Sequence, residues 1–236
     1  MFKKGVFMKI LLVGALGRMG KIIIENYSQQ IIAGVDLKSE KVQIPIFSNF
    51  ANIPKKTIND IDVVLDFSSP SVLEDEIKFC IQNNKPLVIC ATAHSNTQKK
   101  LIKCASKKIP VFVTNNTSLG VFLLDRIIDS VSKQLVKYDV GIIDIHHKNK
   151  KDVPSGTSKH IIDVLNKYGV KPDIVSLRGG TEVGEHRIIL MGENEKIEIS
   201  HTASDRRLFA SGAIGICEYM NNNKVKKLYT MNDLIK

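Results

Sequence analysis

Residues 9–20 read Lys-Ile-Leu-Leu-Val-Gly-Ala-Leu-Gly-Arg-Met-Gly, and this stretch decides the fold. The apolar run before the first glycine predicts a buried strand, and Gly14, Gly17 and Gly20 open a helix predicted over 21–29. Glycines at such a turn let backbone N–H groups approach a pyrophosphate, and the helix N-terminus adds partial positive charge. The stretch therefore predicts a dinucleotide-binding turn in a Rossmann-type domain.

An acidic residue at the end of the second predicted strand supports this interpretation. Asp36 closes the apolar run 31–36, where it is placed to accept hydrogen bonds from ribose hydroxyls. Leu16 stands where the usual pattern has its middle glycine, so a tight turn without a ligand remains the alternative. Asp36 favours the free 2′-hydroxyl of NADH, whereas Lys38 or Arg18 is able to reach a phosphate, so NADH and NADPH both stay open.

Short apolar runs and amphipathic stretches alternate through the first half of the chain. Further strands are predicted over 62–67, 86–90 and 110–114, and further helices over 73–81 and 97–107. Apolar strands that alternate with helices are typical of a parallel sheet covered on both faces. We therefore predict an α/β fold class, with a Rossmann-type, doubly wound parallel sheet in the N-terminal domain.

The pattern changes after about residue 116. A helix over 119–135, a strand over 140–146 and a helix over 157–168 come first. Three strand-like runs and a last helix follow, over 174–177, 186–191, 196–201 and 206–219. These elements predict a smaller α+β domain with a mixed sheet, and then a helix that returns to the first domain.

The change of pattern places the domain boundaries. A dinucleotide-binding domain spans 1–117 and is joined by the C-terminal segment 206–236, and the second domain spans 118–205. Residues 1–7 are interpreted as an extension ahead of the first strand. They contain no apolar stretch of signal-peptide length, so no secretion signal is predicted there.

The composition limits the classes of function. The chain has 34 Lys and Arg against 24 Asp and Glu, a formal charge of +10, which invites a nucleic-acid partner. It has no Trp and only 6% aromatic residues, however, so it is poorly supplied for base stacking. No apolar run approaches the ~20 residues of a membrane helix. We therefore predict neither a nucleic-acid nor a membrane partner.

The cysteines indicate the compartment. They are widely spaced, without a C-x-x-C pattern, and each lies in an apolar segment: Cys80, Cys90, Cys104 and Cys217. We predict buried free thiols, a reducing compartment and therefore a cytoplasmic location. The spacing offers no metal site, and none is predicted.

The segment 146–157 reads His-His-Lys-Asn-Lys-Lys-Asp-Val-Pro-Ser-Gly-Thr and runs from a strand end to a helix start. A histidine here is able to deliver a proton near neutral pH, and Lys150 supplies a countercharge for an acid. Free N–H groups at the helix start offer donors to a carboxylate. Beside a dinucleotide, this predicts hydride transfer to a small dianion. A solvated basic loop with an N-cap at Ser155 remains the alternative.

This segment resembles the signature of the 4-hydroxy-tetrahydrodipicolinate reductase family, also called the dihydrodipicolinate reductase family. The resemblance is carried by the pattern His146-x-x-x-Lys150-x-Asp152-x-Pro154-Ser155-Gly156-Thr157. Five further segments match the family in order along nearly the whole chain: Gly17–Gly20, Asp66–Pro70, Asn116–Gly120, Val183–His186 and Phe209–Ala213.

The resemblance implies an oxidoreductase that uses NADH or NADPH to reduce a cyclic, unsaturated dicarboxylate in the diaminopimelate route to lysine. His146 would be the general acid that protonates the substrate ring, and Lys150 would anchor a carboxylate. The residues that would bind substrate are His147, Ser155, Gly156, Thr157 and Thr92. Those that would line the cofactor are Gly14, Ala15, Leu16, Gly17, Arg18, Met19, Asp36, Cys90, Ala91, Thr92, Thr114, Asn115, Asn116 and Thr117. The second domain would bind substrate and build a homotetramer through its sheet.

Several positions depart from the family pattern. The loop 90–93 reads Cys-Ala-Thr-Ala where Gly-Thr-Thr-Gly is usual, and the added Cβ atoms lead us to expect a different loop shape. Thr117 replaces a common aromatic residue, Asn149 a frequent histidine and Asp144 a frequent glutamate. None of these changes removes the general acid or the carboxylate anchor.

Two other functions remain open. One is another two-domain Rossmann dehydrogenase of amino-acid metabolism, against which the Pro-Ser-Gly-Thr helix start with His146 and Lys150 argues. The other is a nucleotide-sensing or nucleic-acid-binding protein that kept the fold and lost catalysis. This second hypothesis predicts that the protein binds the dinucleotide but does not oxidise NADH when substrate is added.

Overall fold

The computed structural model describes residues 8–234, so the interpretation of 1–7 as an extension lies outside the described residues. The chain divides into two compact units. Unit 1 contains the residues up to Thr117 and those from Phe209 onward, and unit 2 is Ser118–Leu208. The functional roles given to the two domains remain predictions.

The described residues form eleven strands and seven α-helices, joined by loops and short 3-10 turns. The strands are β1 Ile10–Val13, β2 Ile31–Val35, β3 Ile46–Phe47, β4 Val63–Asp66, β5 Leu87–Ile89, β6 Val111–Val113, β7 Asp139–His146, β8 Asp173–Arg178, β9 Gly184–Met191, β10 Lys196–Ala203 and β11 Leu228–Tyr229. The helices are α1 Arg18–Tyr27, α2 Lys55–Asp60, α3 Leu73–Gln82, α4 Asn96–Ala105, α5 Leu119–Val131, α6 Gly156–Lys167 and α7 Arg207–Asn222. None of these described helices has the length and apolar character needed to cross a membrane.

Unit 1 is built on a seven-stranded sheet in the order β11-β6-β5-β4-β1-β2-β3. All its neighbouring strands are parallel, which confirms the predicted doubly wound sheet. The central strand β1 explains why its sequence is an unbroken apolar run. Ile10 and Leu12 pack into the core on one face of the sheet, and Leu11 and Val13 pack into the core on the other.

The C-terminal helix α7 packs on this sheet through small residues. Ala210, Ala213 and Cys217 are fully buried in the core of one sheet face. A Cβ at Gly212 would lie 1.9 Å from the carbonyl oxygen of Thr117, so only glycine allows this approach. The Thr117 hydroxyl also donates a hydrogen bond to the carbonyl oxygen of Phe209 (2.7 Å). Gly212 is therefore required where helix α7 lies directly against Thr117, the last residue of the first chain segment of unit 1.

Unit 2 has a four-stranded sheet in the order β10-β9-β7-β8. β7 and β8 are parallel, whereas β7 with β9 and β9 with β10 are antiparallel, so the predicted mixed sheet is confirmed. Along β7 the even-numbered residues are buried. The core lies between this inner face and helices α5 and α6, and it includes Leu124, Ile128, Ile142, Ile161, Leu165 and Ile188.

The cysteines differ in one respect from the prediction of four buried thiols. All four are unpaired, and Cys80, Cys90 and Cys217 are buried. Cys104 is exposed, so the prediction was wrong for this residue. The apolar run around Cys104 belongs to the amphipathic helix α4, whose outer face carries polar residues and this thiol.

A buried carboxyl group in unit 1 yields a stability prediction. Glu76 on α3 is fully buried, and no described group hydrogen-bonds to either of its oxygens. Burial, and then the nearby charge of Asp66, raise the pKa of Glu76 well above its usual value of 4.5. The folded protein therefore keeps Glu76 neutral at a pH where the unfolded chain ionises it, and stability is lost as pH rises above 4.5.

We expect Glu76→Gln to raise the melting temperature at pH 8 by at least ~2–4 °C, which corresponds to ~1 kcal/mol for a chain of this size. The gain should disappear about one pH unit below 4.5, where Glu76 is protonated in both the folded and the unfolded state. Thermal unfolding at the two pH values measures this difference. Glu74→Gln, on the exposed face of the same helix, is the control. An equal gain at both pH values would show that Glu76 is not held neutral.

Candidate active site

The glycine turn of unit 1 is shaped by close packing. Gly14 has φ of +77°, and a Cβ there would lie 2.8 Å from the backbone of Phe67 and Ser68. A Cβ at Gly20 would lie 2.3 Å from the carbonyl oxygen of Ala15. The turn therefore packs directly against the Asp-Phe-Ser-Ser-Pro segment that follows β4. Helix α1 begins just after the turn, at Arg18, and directs its first N–H groups to the same edge of the sheet.

Asp36 fastens this turn to the end of β2. Its Oδ2 accepts a hydrogen bond from the Leu16 N–H (2.9 Å), and its Oδ1 accepts one from the Lys38 N–H (3.0 Å). The carboxylate is half-buried, whereas Lys38 is exposed. The structure therefore brings the predicted ribose-binding carboxylate and the predicted pyrophosphate turn together, with a fixed negative charge beside the turn.

Two further loops with predicted cofactor residues lie at the carboxyl edge of the same sheet, after β5 and β6. The Cys90 N–H donates to the Asp66 carbonyl oxygen (2.9 Å), and the Thr114 N–H donates to the Ile89 carbonyl oxygen (3.1 Å). The Thr114 hydroxyl donates to the carbonyl oxygen of Asn116 (2.6 Å), which closes the second loop. Ligands of doubly wound sheets bind at this edge. The predicted cofactor residues of unit 1 thus share one edge of its sheet.

The first of these loops contains an unusual backbone conformation. Ala93 has φ of +67°, in the left-handed region that favours glycine, at the position where the family pattern has glycine. Cys90 and Ala91 are buried, and Thr92 is exposed. The left-handed conformation costs a residue with a Cβ about 1–2 kcal/mol. The loop therefore holds Ala93 in a glycine-like conformation.

In unit 2, His146 ends β7 and lies on the buried face of the sheet with Asp144. The His146 Nδ1 is 2.8 Å from the Asp144 Oδ1, and the two side chains are 8% and 0% exposed. This distance is short enough for an ion pair. The angles at the two atoms do not meet those of a hydrogen bond, so the contact is electrostatic. A Cβ at Gly184 would lie 2.9 Å from the His146 Nε2, so the glycine of the Val-Gly-Glu-His segment leaves room for this ring.

Asp144 is fully buried and holds a negative charge. Its Oδ2 accepts hydrogen bonds from the Ser155 N–H (2.9 Å), the Ser176 hydroxyl (3.1 Å) and the Arg178 Nη2 (3.0 Å). Burial raises the pKa of Asp144, but the bonds from Ser155 and Arg178 together outweigh it and lower the pKa to about 2. Asp144 is therefore ionised at neutral pH and provides His146 with a fixed counter-ion.

His146 is neutral at neutral pH in the ligand-free protein. Burial lowers its pKa below 6.5, the negative charge of Asp144 opposes this, and the positive charges of Lys150 and Arg178 lower the pKa further. A bound dianion would add negative charge beside the ring and favour its protonated form. The arrangement suits a histidine that takes up a proton together with an anionic ligand.

The basic loop after β7 folds back on itself. The Lys150 N–H donates to the His147 carbonyl oxygen (3.0 Å), and the Lys150 Nζ is 2.9 Å from the Asp152 Oδ1. The Lys150 side chain is 21% exposed, so its ammonium group is oriented but reachable from solvent. His147 is half-buried, and its N–H donates to the Glu182 carbonyl oxygen (2.8 Å). The predicted substrate residues of this loop thus lie next to His146.

Helix α6 starts at the Pro-Ser-Gly-Thr segment with Ser155 as its N-cap. Gly156 is exposed and Thr157 is half-exposed, whereas Ser155 is only 2% exposed. The first N–H groups of a helix have no partner within it, so Gly156 and Thr157 offer donors at an accessible site. Ser155 is enclosed by the protein.

Sequence reasoning did not identify Arg178, Ser176 and His186 as members of this cluster. Arg178 lies opposite His146 in the parallel pairing of β8 with β7, and His186 lies opposite Asp144 in the antiparallel pairing of β9 with β7. The Val-Gly-Glu-His match was the only signal for His186. Asp144, His146 and His186 each present a possible metal ligand atom, all within 4.8 Å of one another, although no metal site was predicted.

Comparisons with known proteins identify the family that the whole chain matches. A family model described as "Dihydrodipicolinate reductase, N-terminus" matches residues 8–117, and one described as "Dihydrodipicolinate reductase, C-terminus" matches 120–235. The 4-hydroxy-tetrahydrodipicolinate reductase of Clostridium novyi (strain NT) is 39% identical over 97% of this chain and 98% of its own length. That of Caldanaerobacter subterraneus subsp. tengcongensis is 35% identical over 98% of this chain and 99% of its own.

A solved structure shares the fold. The dipicolinate-bound dihydrodipicolinate reductase from Paenisporosarcina sp. TG-14 superposes with a TM-score of 0.78 at 20% identity, and covers 98% of this chain and all of its own. Aspartate dehydrogenase from Thermotoga maritima superposes with a TM-score of 0.55 at 15% identity. Both likenesses concern the fold.

Proposed function

The chain belongs to the dihydrodipicolinate reductase family, and from this we propose that it reduces 4-hydroxy-tetrahydrodipicolinate to tetrahydrodipicolinate in the diaminopimelate route of lysine biosynthesis. It is an oxidoreductase whose family depends on a pyridine nucleotide. The observation that carries the proposal is the pairing of His146 with ionised Asp144 beside Lys150 and the start of α6. The dipicolinate in the Paenisporosarcina structure is itself a cyclic dicarboxylate, which supports a substrate of that class.

We propose the following roles for the residues of the site. When bound, the nicotinamide cofactor supplies the hydride. The turn Gly14–Met19 and Asp36 hold its pyrophosphate and ribose. Lys150 and the N–H groups of Gly156 and Thr157 bind the substrate carboxylates, because a dianion needs a countercharge and directed donors. The ring hydroxyl leaves as water together with a hydrogen of the neighbouring ring carbon, which creates a double bond. The hydride would add to the unsaturated ring and His146 would deliver the proton to it, so one hydride and one proton are gained and one water is lost.

The charges support this use of His146. In the ligand-free site, burial and the positive charges of Lys150 and Arg178 hold the pKa of His146 below its usual value. The substrate dianion reverses that balance, because it brings negative charge to a ring already paired with Asp144. His146 is then protonated when substrate is bound, and the negative charge of Asp144 balances the positive charge of the imidazolium ring.

A coupled assay tests the function. Dihydrodipicolinate synthase generates the substrate, and the absorbance band of NADH or NADPH is followed after the protein is added. We expect substrate-dependent loss of the band. The absence of loss with either cofactor would overturn the proposed reaction. Dinucleotide binding without loss would favour the nucleotide-sensing alternative.

For the cofactor, we propose a preference for NADH over NADPH. The Asp36 carboxylate is fixed by two backbone N–H groups beside the turn, where it would accept bonds from a ribose and repel a 2′-phosphate. We expect Asp36→Ser to lower the NADH-to-NADPH ratio of kcat/KM by about tenfold or more, equivalent to ~1.4 kcal/mol. Steady-state kinetics with both cofactors measures the ratio.

A control separates cofactor choice from damage to the sheet. Asp62 accepts a hydrogen bond from the Lys9 N–H (2.8 Å), so it also fastens one strand to another segment of unit 1. We expect Asp62→Ser to reduce stability and leave the ratio unchanged. A preference for NADPH in the unmodified protein would show that Asp36 does not set the choice.

For the assembly, we propose a homotetramer formed through the outer face of the unit 2 sheet. This face is opposite to the helices, and it carries apolar side chains that are strongly exposed in the single chain: Val175 55%, Leu177 49% and Met191 42%. An apolar sheet face of this kind is typical of a subunit interface. Light scattering should give the mass of four chains, and Leu177→Glu should lower it. A monomeric unmodified protein would contradict the proposal.

We also propose a cytoplasmic location. All four cysteines are unpaired, and the exposed Cys104 would be prone to oxidation in an oxidising compartment. Localisation of a tagged protein in the source cell tests this.

A further inference from the structure

His186 is a buried histidine that the proposed reaction does not use directly. It lies on β9, opposite Asp144 of β7 and opposite His201 of β10 in the strand pairing. Its side chain is 5% exposed. One of its ring nitrogens faces the Ser155 hydroxyl and the other is buried, so neither is open to a substrate carboxylate. Any role in the reaction must therefore act through its neighbours.

Those neighbours are the parts of the proposed active site that must be held together. The His186 Nε2 is 3.0 Å from the Ser155 Oγ and 3.7 Å from the Asp144 Oδ1. Its ring meets the ring of His146 edge to face, with centroids 5.2 Å apart. His186 thus contacts the N-cap of the substrate-binding helix, the counter-ion and the acid at the same time.

The hydrogen-bond capacity of Ser155 assigns the proton on His186. The Ser155 hydroxyl accepts from the Ser158 N–H (3.2 Å) and donates to the Ser158 hydroxyl (3.1 Å). One acceptor lone pair remains, and a donor at the His186 Nε2 fills it. The His186 Nδ1 is buried without a partner among the described residues. A proton there would be a buried unsatisfied donor, which costs about 1–3 kcal/mol, so the proton belongs on Nε2.

The charges around His186 agree with a neutral ring. Burial lowers its pKa to about 4, and the neighbouring His146 lowers it as well. The titratable groups that face it are Asp144 and His146 on β7, His201 on β10, and Lys150 in the basic loop. Among these only Asp144 favours a charged His186, and its charge is already shared with Arg178, Ser155 and Ser176.

We propose that His186 and Ser155 form a buried link that fixes the His146–Asp144 pair relative to the first turn of α6, so that His186 is a positioning residue for the acid. This rests on the proposed function. Both hydrogen-bond donors of Ser155 are used within the protein. Its N–H donates to the Asp144 carboxylate, and its hydroxyl donates to the Ser158 hydroxyl in the first turn of α6. Ser155 therefore acts by holding the helix start in place, while Gly156 and Thr157 present the donors to substrate.

Kinetics of three single variants and one double variant test the link. His186→Leu removes the donor to Ser155, and we expect at least a tenfold loss of kcat with less than a twofold change in the KM for the dinucleotide. His186→Gln keeps a donor where Nε2 lies and should recover most of that kcat. Ser155→Ala should lower kcat to the same extent as His186→Leu. The double variant should have a kcat no lower than either single variant, because both substitutions remove the same hydrogen bond. His160→Gln, an exposed histidine on α6, is the control.

The opposite results would overturn the proposal. A kcat of His186→Leu equal to that of the unmodified protein would show that the link between His186 and Ser155 does not position His146. Equal losses in His186→Leu and His186→Gln would show that ring packing, not the hydrogen bond, matters. Additive losses in the double variant, with a raised substrate KM in Ser155→Ala alone, would show that Ser155 binds substrate itself.

A measurement without turnover keeps this test separate from the proposed function. Nitrogen NMR of the histidine rings at pH 7 should show His186 neutral with its proton on Nε2, and Ser155→Ala should change that signal. A proton on Nδ1, or a charged ring, would overturn the link even in an active enzyme. If the unmodified protein shows no turnover, the proposed reaction fails while the NMR result still decides the link.

Discussion

Replacement of His146 by glutamine is expected to lower kcat by about 10²–10⁴-fold, the usual contribution of a positioned general acid. Glutamine fills similar space but carries no transferable proton, so the step that needs the proton slows. The affinity for the dinucleotide should stay within about twofold, because the residues predicted to bind it all lie in unit 1 and His146 lies in unit 2. Steady-state turnover and dinucleotide titration measure the two effects.

The pH profile gives this prediction a second readout. An acid must be protonated to act, so kcat/KM should fall as pH rises through the pKa of His146. Burial holds that pKa below 6.5, so the fall should begin below that value and be absent from the residual activity of His146→Gln. His160→Gln should behave like the unmodified protein. Unchanged turnover in His146→Gln would remove His146 from the acid role.

Replacement of Lys150 by alanine is expected to lower kcat/KM by about 10²–10³-fold, which is typical for the loss of a directed charge at a developing anion. The Lys150 ammonium group is oriented by Asp152 at 2.9 Å, so it is already in place when the dianion arrives. The substrate KM should rise and kcat should fall, because in the proposed role the same charge binds the carboxylate and stabilises the charge during transfer.

The Lys150 variant should also move the pH profile. The charge of Lys150 lowers the pKa of His146, so its removal should shift the falling limb of kcat/KM to higher pH. Lys148→Ala, an exposed lysine two residues earlier, is the matched control and should have little effect. Equal losses in the two variants would mean that the loop attracts acids only by its overall charge.

The predicted fold was correct where the local pattern was strong. The apolar run of β1 leads into a glycine turn, and both of its alternating faces are buried in separate cores. The sheet has two strands that were not predicted, β3 and β11, each of two residues. A two-residue strand has no periodicity to detect. It exists because a neighbouring strand, β2 or β6, offers it backbone partners.

The candidate site was predicted one residue at a time. His146, Lys150 and the Pro-Ser-Gly-Thr segment lie close together in sequence, and the structure keeps them in one region of unit 2. The partners that decide the chemistry of His146 come from other strands. Arg178 reaches Asp144 through the parallel pairing of β7 with β8, and His186 reaches Ser155 from β9.

The sequence by itself determined the types of the main elements, the glycine turn and the segment that contains His146, the proposed acid, and Lys150. These depend on residues near one another in the chain, through local backbone preferences and the alternation of apolar side chains. Only the tertiary structure decided that Asp144 is ionised, that His146 is neutral without ligand and that Ser155 is enclosed. Those properties depend on burial and on charges from distant strands, which exist only once the sheet has formed.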